Sequence, residues 1–152
     1  MNQEINHEIS VFFEADVIFA GAASPNEHSA SLVLLRMAEI TLIKAITSQQ
    51  VIVEVQRNLS EKIPNALPAF HLLVSKCFQV VSAPEMRDLR NYQGLADDKY
   101  LPIMVAAIQE KCEVLTTYNV RHYQPGMTGL AVKKPGDLIL NVRYLLSGLS
   151  SD

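Results

Sequence analysis

Short apolar runs alternate along the chain with longer stretches that carry one apolar face. Ile9-Ser-Val-Phe-Phe13 is β-branched and aromatic, ends at Glu14, and reads as a buried strand. Gly21-Ala-Ala-Ser-Pro25 leads into a predicted helix with Ser24 as N-cap, Pro25 at the first helical position and Glu27 completing a capping box. Leu32, Leu35 and Ala38 of that helix face a core. Thr41 to Ile46 fits either a short strand or an extension of the helix. Thr47 and Gln50 form a second capping pair, and the helix after them places Ile52, Val55, Leu59 and Ile63 on one face. Pro64 and Pro68 interrupt the chain before Phe70, Leu73, Val74 and Cys77, which recur at helical spacing. Phe78-Gln-Val-Val-Ser82 is a strand, Leu101, Met104, Val105 and Ile108 mark a helix, and Val114-Leu-Thr-Thr117 is the next strand. Leu130-Ala-Val132 is a last short strand, and Pro135 opens a terminal helix through Leu146. Strands alternating with helices need crossover connections, which build a mostly parallel sheet. The expected class is α/β, with Val11–Phe13 at the centre of the sheet and Val114–Thr117 beside it.

Composition narrows this further. A chain of 152 residues, 49% hydrophobic and 19% charged, suits one domain with one core and is too apolar for disorder. Thirteen Lys and Arg against 16 Asp and Glu leave a net charge of −3, so no global field attracts nucleic acid and a nonspecific coating protein is disfavoured. Cys77 and Cys112 lie far apart, without a CxxC or paired-His pattern, which excludes a disulfide framework and a zinc knuckle. Both are expected to be buried thiols in a reducing, cytoplasmic setting. The first ten residues lack a basic stretch and a long apolar stretch, so neither a signal peptide nor a membrane span is expected.

Ligands of open parallel sheets bind beyond the carboxyl ends of the strands, so the polar residues just after each strand carry the candidate chemistry. Glu14 and Asp16 follow the first strand; two residues apart in extended chain, they point the same way. Each also suits a turn-capping role. Glu54 interrupts the apolar run Val51-Ile-Val-Glu-Val55, where a carboxylate needs a cation, a metal or a salt bridge, with Arg57 or Arg121 as the structural choices. Asp97 and Asp98 precede a helix, a place where acids also serve as caps. Tyr118-Asn119-Val-Arg121-His122-Tyr123 follows the strand at 114–117, and His122 there suits packing as well as ligand orientation. Acidic clusters at several element ends suggest one mouth lined by oxygen ligands, which Mg²⁺ or Mn²⁺ prefer. No Walker-type lysine loop, GxGxxG or GxSxG is present, which removes ATPase, dinucleotide-dependent and serine-hydrolase classes.

From Val11 to about Leu146 the chain resembles the PIN-domain family, metal-dependent ribonucleases that include the toxins of bacterial toxin–antitoxin pairs. The resemblance rests on Phe12-Phe-Glu-Ala-Asp-Val-Ile-Phe19, on Glu54 within its apolar run, on Asp97-Asp-Lys-Tyr-Leu-Pro-Ile-Met-Val-Ala-Ala107 and on Leu115-Thr-Thr-Tyr-Asn119. Val132-Lys-Lys-Pro-Gly-Asp137 matches the family's last strand and proline-led helix. It implies catalytic roles for Glu14, Glu54 and Asp97, a divalent cation on Glu14, Asp16, Glu54 and Asp97, and orienting roles for Asp98, Tyr100, Asn119 and His122. Glu14 stands where the family has Asp, while Tyr100 and Asn119 occupy positions of two further acids. A weakened charge, and hence weak activity, is the corresponding expectation.

Three functions follow as alternatives. The first is a divalent-metal-dependent ribonuclease, with RNA as substrate and an antitoxin-like protein and a homodimer as the partners the resemblance implies. The second is a decayed domain that binds RNA or protein without catalysis. The third, suggested by Glu14-Ala-Asp16, is a haloacid-dehalogenase-type phosphatase, which needs an aspartyl nucleophile where Glu14 stands. Lys62, Arg87, Arg90, Lys99, Arg121, Lys133 and Lys134 are the cations available for a phosphate-contacting rim.

Overall fold

A computed structural model describes residues 8–24 and 29–150. Strand β1 (Ile9–Phe13) is the middle of a five-stranded sheet with β2 (Ile43–Ser48), β3 (Phe78–Val81), β4 (Val114–Thr116) and β5 (Ala131–Lys133). The order is β3-β2-β1-β4-β5 and every pairing is parallel, with Phe12 opposite Ile46 on one side and Leu115 on the other. This is the α/β arrangement that the alternation of elements predicts, with β1 central and β4 beside it. Val11, Phe12 and Phe13 are completely buried because helices cover both sheet faces. Burying each Phe contributes about 1.5–3 kcal/mol.

The crossover segments are α1 (Ala15–Ala23), α2 (Ala30–Glu39), α3 (Gln49–Lys62), α4 (Leu67–Cys77), α5 (Met86–Leu89) and α6 (Leu101–Gln109), and α7 (Pro135–Ser150) closes the chain. Within the segment at 41–46 the strand β2 begins at Ile43, since Ile43, Ala45 and Ile46 enter the core between β1 and β3. α1 corrects the sequence reading of this region. Residues 21–23 end a helix instead of leading into the next, and Ser24 caps the C-terminus of α1. The N-cap of α2 is Ser29, whose hydroxyl accepts from Leu32 N. Pro25 and Glu27 of the expected capping box, like residues 1–7 of the N-terminal segment, lie outside the described residues. α1 is hard to see in sequence because Ala15, Val17, Ile18 and Gly21 are all buried, leaving little amphipathic contrast. Gly21 is where α1 meets α2: a Cβ there would run into the Leu35 side chain.

The start of α3 also shifts by one residue. Ser48 is its N-cap, accepting from Val51 N, while Thr47 donates its hydroxyl to Phe13 O and ties the end of β2 to β1. Ile52, Val55 and Leu59 are buried as expected, whereas Ile63 closes the helix near the surface. Phe70 and Cys77 of α4 are buried and Leu73 and Val74 half-buried. Cys77 and Cys112 are free, buried thiols; burial pushes Cys77 upward and Cys112 up to about 12, with Glu110 adding to the latter. Among the described residues no helix is long and apolar enough to cross a membrane.

Candidate functional site

The carboxyl ends of β1, β2 and β4 open onto two cavities. The smaller, about 240 Å³, is lined by Glu14, Asp16, Glu54, Tyr100 and Asn119, with Asn58 and Lys62 on its outer side. The larger, about 650 Å³, shares Glu14, Glu54 and Tyr100 and continues past Gln49, Gln50, Arg57 and Lys99. Thus the fold brings the acids after β1, the α3 glutamate and two residues from the 97–100 and 117–119 turns to one place.

Glu14 and Asp16 reach the pocket differently from the extended-chain expectation. Glu14 is the N-cap residue of α1 in extended conformation, and Asp16 lies in the first helical turn. Glu14 is only 5% exposed, and Tyr123 donates its hydroxyl to Glu14 Oε2 at 2.9 Å. Burial raises the Glu14 pKa above 4.5, with the Asp16 charge adding to the rise and hydrogen bonds from Thr117 and Tyr123 opposing it. Asp16 is likewise raised by burial, against the hydrogen bonds it accepts from the chain after β4. Its Oδ2 takes three donors: Thr117 Oγ1 at 3.0 Å, Tyr118 N at 2.8 Å and Asn119 Nδ2 at 3.3 Å. Asp16 Oδ1 is buried with no hydrogen-bond partner. The hydroxyl of Tyr123 is held neutral, its pKa pushed far up by burial and by Glu14.

Glu54 is half-buried in the wall shared by both cavities. Neither Arg57 nor Arg121 forms the expected salt bridge with it; Arg87 pairs with Glu85, and Asp97 meets His122. Asp97 does not line either cavity. Its Oδ2 lies 2.7 Å from His122 Nδ1, and its backbone N–H donates to His122 O. His122 in turn stacks on Tyr100, with ring centroids 4.6 Å apart. Asp98 is exposed, and neither acid caps α6 through its side chain; the Asp97 carbonyl accepts from Tyr100 and Leu101 N–H instead. The expected convergence of four carboxylates is therefore corrected to three around the pocket, with Asp97 drawn outward to His122. Among the described residues no three or more His, Cys, Asp or Glu side chains are already grouped tightly enough to hold a metal. The donor chemistry nonetheless fits a hard cation: three carboxylates, one with a buried oxygen that lacks a partner, and a repulsion between Glu14 and Asp16 that a cation would relieve.

Sequence reasoning did not assign Gln49, Gln50, Arg57 and Asn58 to the site, nor Thr117 and Tyr123 to the support of its acids. The available signal was the spacing of Gln50, Glu54, Asn58 and Lys62, which puts them on one helical face. Of the candidate rim cations only Lys62 and Lys99 line these cavities. Arg87 pairs with Glu85, and Lys133 donates to Asn141 Oδ1.

No protein-family model matches the chain, and no curated protein matches it. Among solved structures it is similar to the crystal structure of VapBC2 from Rickettsia felis bound to a DNA fragment from their promoter. The likeness covers 83% of this chain and 98% of that one at 14% identity, with a TM-score of 0.59. That similarity and the five-stranded parallel sheet flanked by helices give this chain a PIN-like α/β fold.

Proposed function

We propose that the chain is a PIN-like nuclease that hydrolyses RNA phosphodiesters, with Glu14, Asp16 and Glu54 holding Mg²⁺ or Mn²⁺. The observation that carries this reading is that those three carboxylate residues line one cavity at the carboxyl edge of the sheet, one oxygen of Asp16 being buried without a partner. When bound there, the cation would supply a water of lowered pKa and polarise a phosphoryl oxygen. Tyr123 orients Glu14, and the β4 loop orients Asp16, so both acids are fixed before substrate arrives. Asp97 serves as a positioning residue: it fixes His122, against which Tyr100 stacks. Asn119 places an amide, and Tyr100 a phenol, where further acids would strengthen cation binding. Weak activity follows from that reduced charge.

A cytoplasmic setting belongs to the same reading and is supported by two free thiols. So do an antitoxin-like protein partner, in line with the VapBC2 likeness, and a homodimer. Leu140, Tyr144, Leu145 and Leu146 are exposed on α7 and offer apolar surface to either.

A second reading, binding without catalysis, is favoured by one observation: Tyr123, Thr117, Tyr118 and Asn119 already donate to Glu14 and Asp16. The phosphatase reading gains nothing, because Glu14 is held by Tyr123 at the position that needs an exposed aspartyl nucleophile. Mn²⁺-dependent cleavage of a mixed RNA pool by the purified chain, abolished in Glu54→Gln, is the expected result. Cleavage that persists in Glu54→Gln, or no cleavage by the unaltered chain, would end the nuclease reading.

A further inference from the structure

α2 carries one polar residue inside an apolar stripe. Ser31, Leu34, Leu35 and Ala38 recur at helical spacing and all four are buried, Ser31 completely. α2 comes close to α1 at this level, since a Cβ on Gly21 would stand 3.5 Å from the Ser31 carbonyl carbon. A hydroxyl enclosed in this way is cut off from water and needs a partner within the protein. Its partner is Tyr118, 87 residues onward in the turn after β4, and the two hydroxyl oxygens lie 2.5 Å apart. Tyr118 is 41% exposed, so burial alone does not fix it.

The same residue serves Asp16 through its backbone. Tyr118 N, Thr117 Oγ1 and Asn119 Nδ2 all donate to Asp16 Oδ2, while the buried Oδ1 receives no donor. This uneven division fixes the orientation of the carboxylate and leaves one oxygen bare. It depends on where residues 117–119 stand, and these belong to neither a helix nor a strand. Toward the sheet the turn is held by β5, with Thr117 N donating to Lys133 O. Toward the helices it is held by α2, through Ser31. An irregular segment anchored on two sides keeps its donors in place, and with one anchor removed it gains freedom to reorient.

We infer that Ser31 and Tyr118 are positioning residues: through their shared hydrogen bond α2 holds the turn after β4 so that its donors occupy Asp16 Oδ2 and Oδ1 is kept for a divalent cation. The last clause rests on the proposed cation site; the hold on Asp16 does not. Hydrogen-bond partners one step behind a ligating carboxylate carry about 10–100-fold in metal affinity.

The test sets Ser31→Ala, Tyr118→Phe and the double variant against the unaltered full chain, with Ser10→Ala as control. Ser10 Oγ accepts from Glu113 N at the amino end of the sheet, far from the turn, and its loss should leave the site alone. Tyr118→Phe strands the buried Ser31 hydroxyl and should lower the melting temperature. The double variant replaces both partners by apolar groups and should regain most of that loss. Mn²⁺ affinity, read by titration calorimetry, should fall about tenfold in each single variant and stay as low in the double one. Amide hydrogen exchange at residue 118, followed by NMR in EDTA, should accelerate several-fold in all three. Ser10→Ala should change neither affinity nor exchange.

Mn²⁺ affinity that recovers with the melting temperature in the double variant would reduce the contact to stability alone and overturn the proposal. Unchanged exchange at residue 118 would overturn it too. Faster exchange in the variants of a chain that binds no Mn²⁺ even unaltered would keep the hold on Asp16 and remove the cation site. Equally tight Mn²⁺ binding by all five proteins would keep the cation site and overturn the positioning role.

Discussion

Glu14 and Asp97 were equivalent in the sequence pattern, each an acid at the end of an element, but the fold treats them oppositely. Glu14 is 5% exposed, pressed against Asp16 and Tyr123, and its charge is opposed by burial. The Asp97 side chain is 57% exposed and spends its carboxylate on His122. One wall of the pocket therefore stores unfavourable charge, which a cation or proton can relieve, whereas the rim is already satisfied. An acid becomes a candidate ligand when its surroundings leave it short of partners, not simply because it stands in an acidic cluster.

The sharpest test of that contrast is activity. Under the proposed function, Glu14→Gln or Asp16→Asn should cut Mn²⁺-dependent RNA cleavage by about 100-fold or more, while Asp97→Asn should cost about tenfold at most. Equal losses at all three would erase the distinction between wall and rim.

Stability should run the other way. Glu14 has a folded-state pKa above 4.5, so the folded chain binds more protons than the unfolded one in the interval above that value. Stability from this group is thus lost as pH rises through the folded pKa and regained as pH falls toward 4.5. Metal-free Glu14→Gln is expected to melt a few degrees above the unaltered protein at neutral pH, the gain fading on acidification. Mn²⁺ should stabilise the unaltered chain more at neutral than at acid pH. Calorimetric scans across pH, with and without the ion, check both signs.

Filling in the missing charge gives a third comparison. Tyr100→Asp combined with Asn119→Asp should lower the metal-free melting temperature, since the first removes the stack on His122 and both crowd Glu14 and Asp16 with like charge. Each tenfold gain in Mn²⁺ affinity adds about 1.4 kcal/mol at saturating ion, which is about 3–6 °C for a chain of this size. An unchanged response to Mn²⁺ would place the cation elsewhere. The smallest effect belongs to the rim: Asp97→Asn should cost less than about 1 kcal/mol, because its hydrogen-bonded contact with His122 is open to solvent. Denaturant unfolding with an unchanged m-value is the measurement.

Much of the scaffold is legible in the sequence. β1 and β4 announced themselves as short apolar runs, and α6 and the buried face of α3 as helical stripes. α1 was not, because a helix buried nearly all round has no polar face to give it a period. The positions of Glu14, Asp16, Glu54, Tyr100 and Asn119 near one another followed from the resemblance and from strand ends. The departure of Asp97 did not, since it depends on a partner at His122, 25 residues onward.

Sequence by itself determined the layered α/β plan, since apolar periodicity and crossover length admit few other arrangements. It also determined which side chains carry titratable chemistry. Only the tertiary structure decided which of them share a cavity, which are already partnered and which are deprived of solvent. Parallel pairing of β1 with β4 brings Thr117, Tyr118 and Asn119, about a hundred residues away in sequence, onto the carboxylate of Asp16. Charge cost depends on burial and on such distant donors, and neither is a property of local sequence.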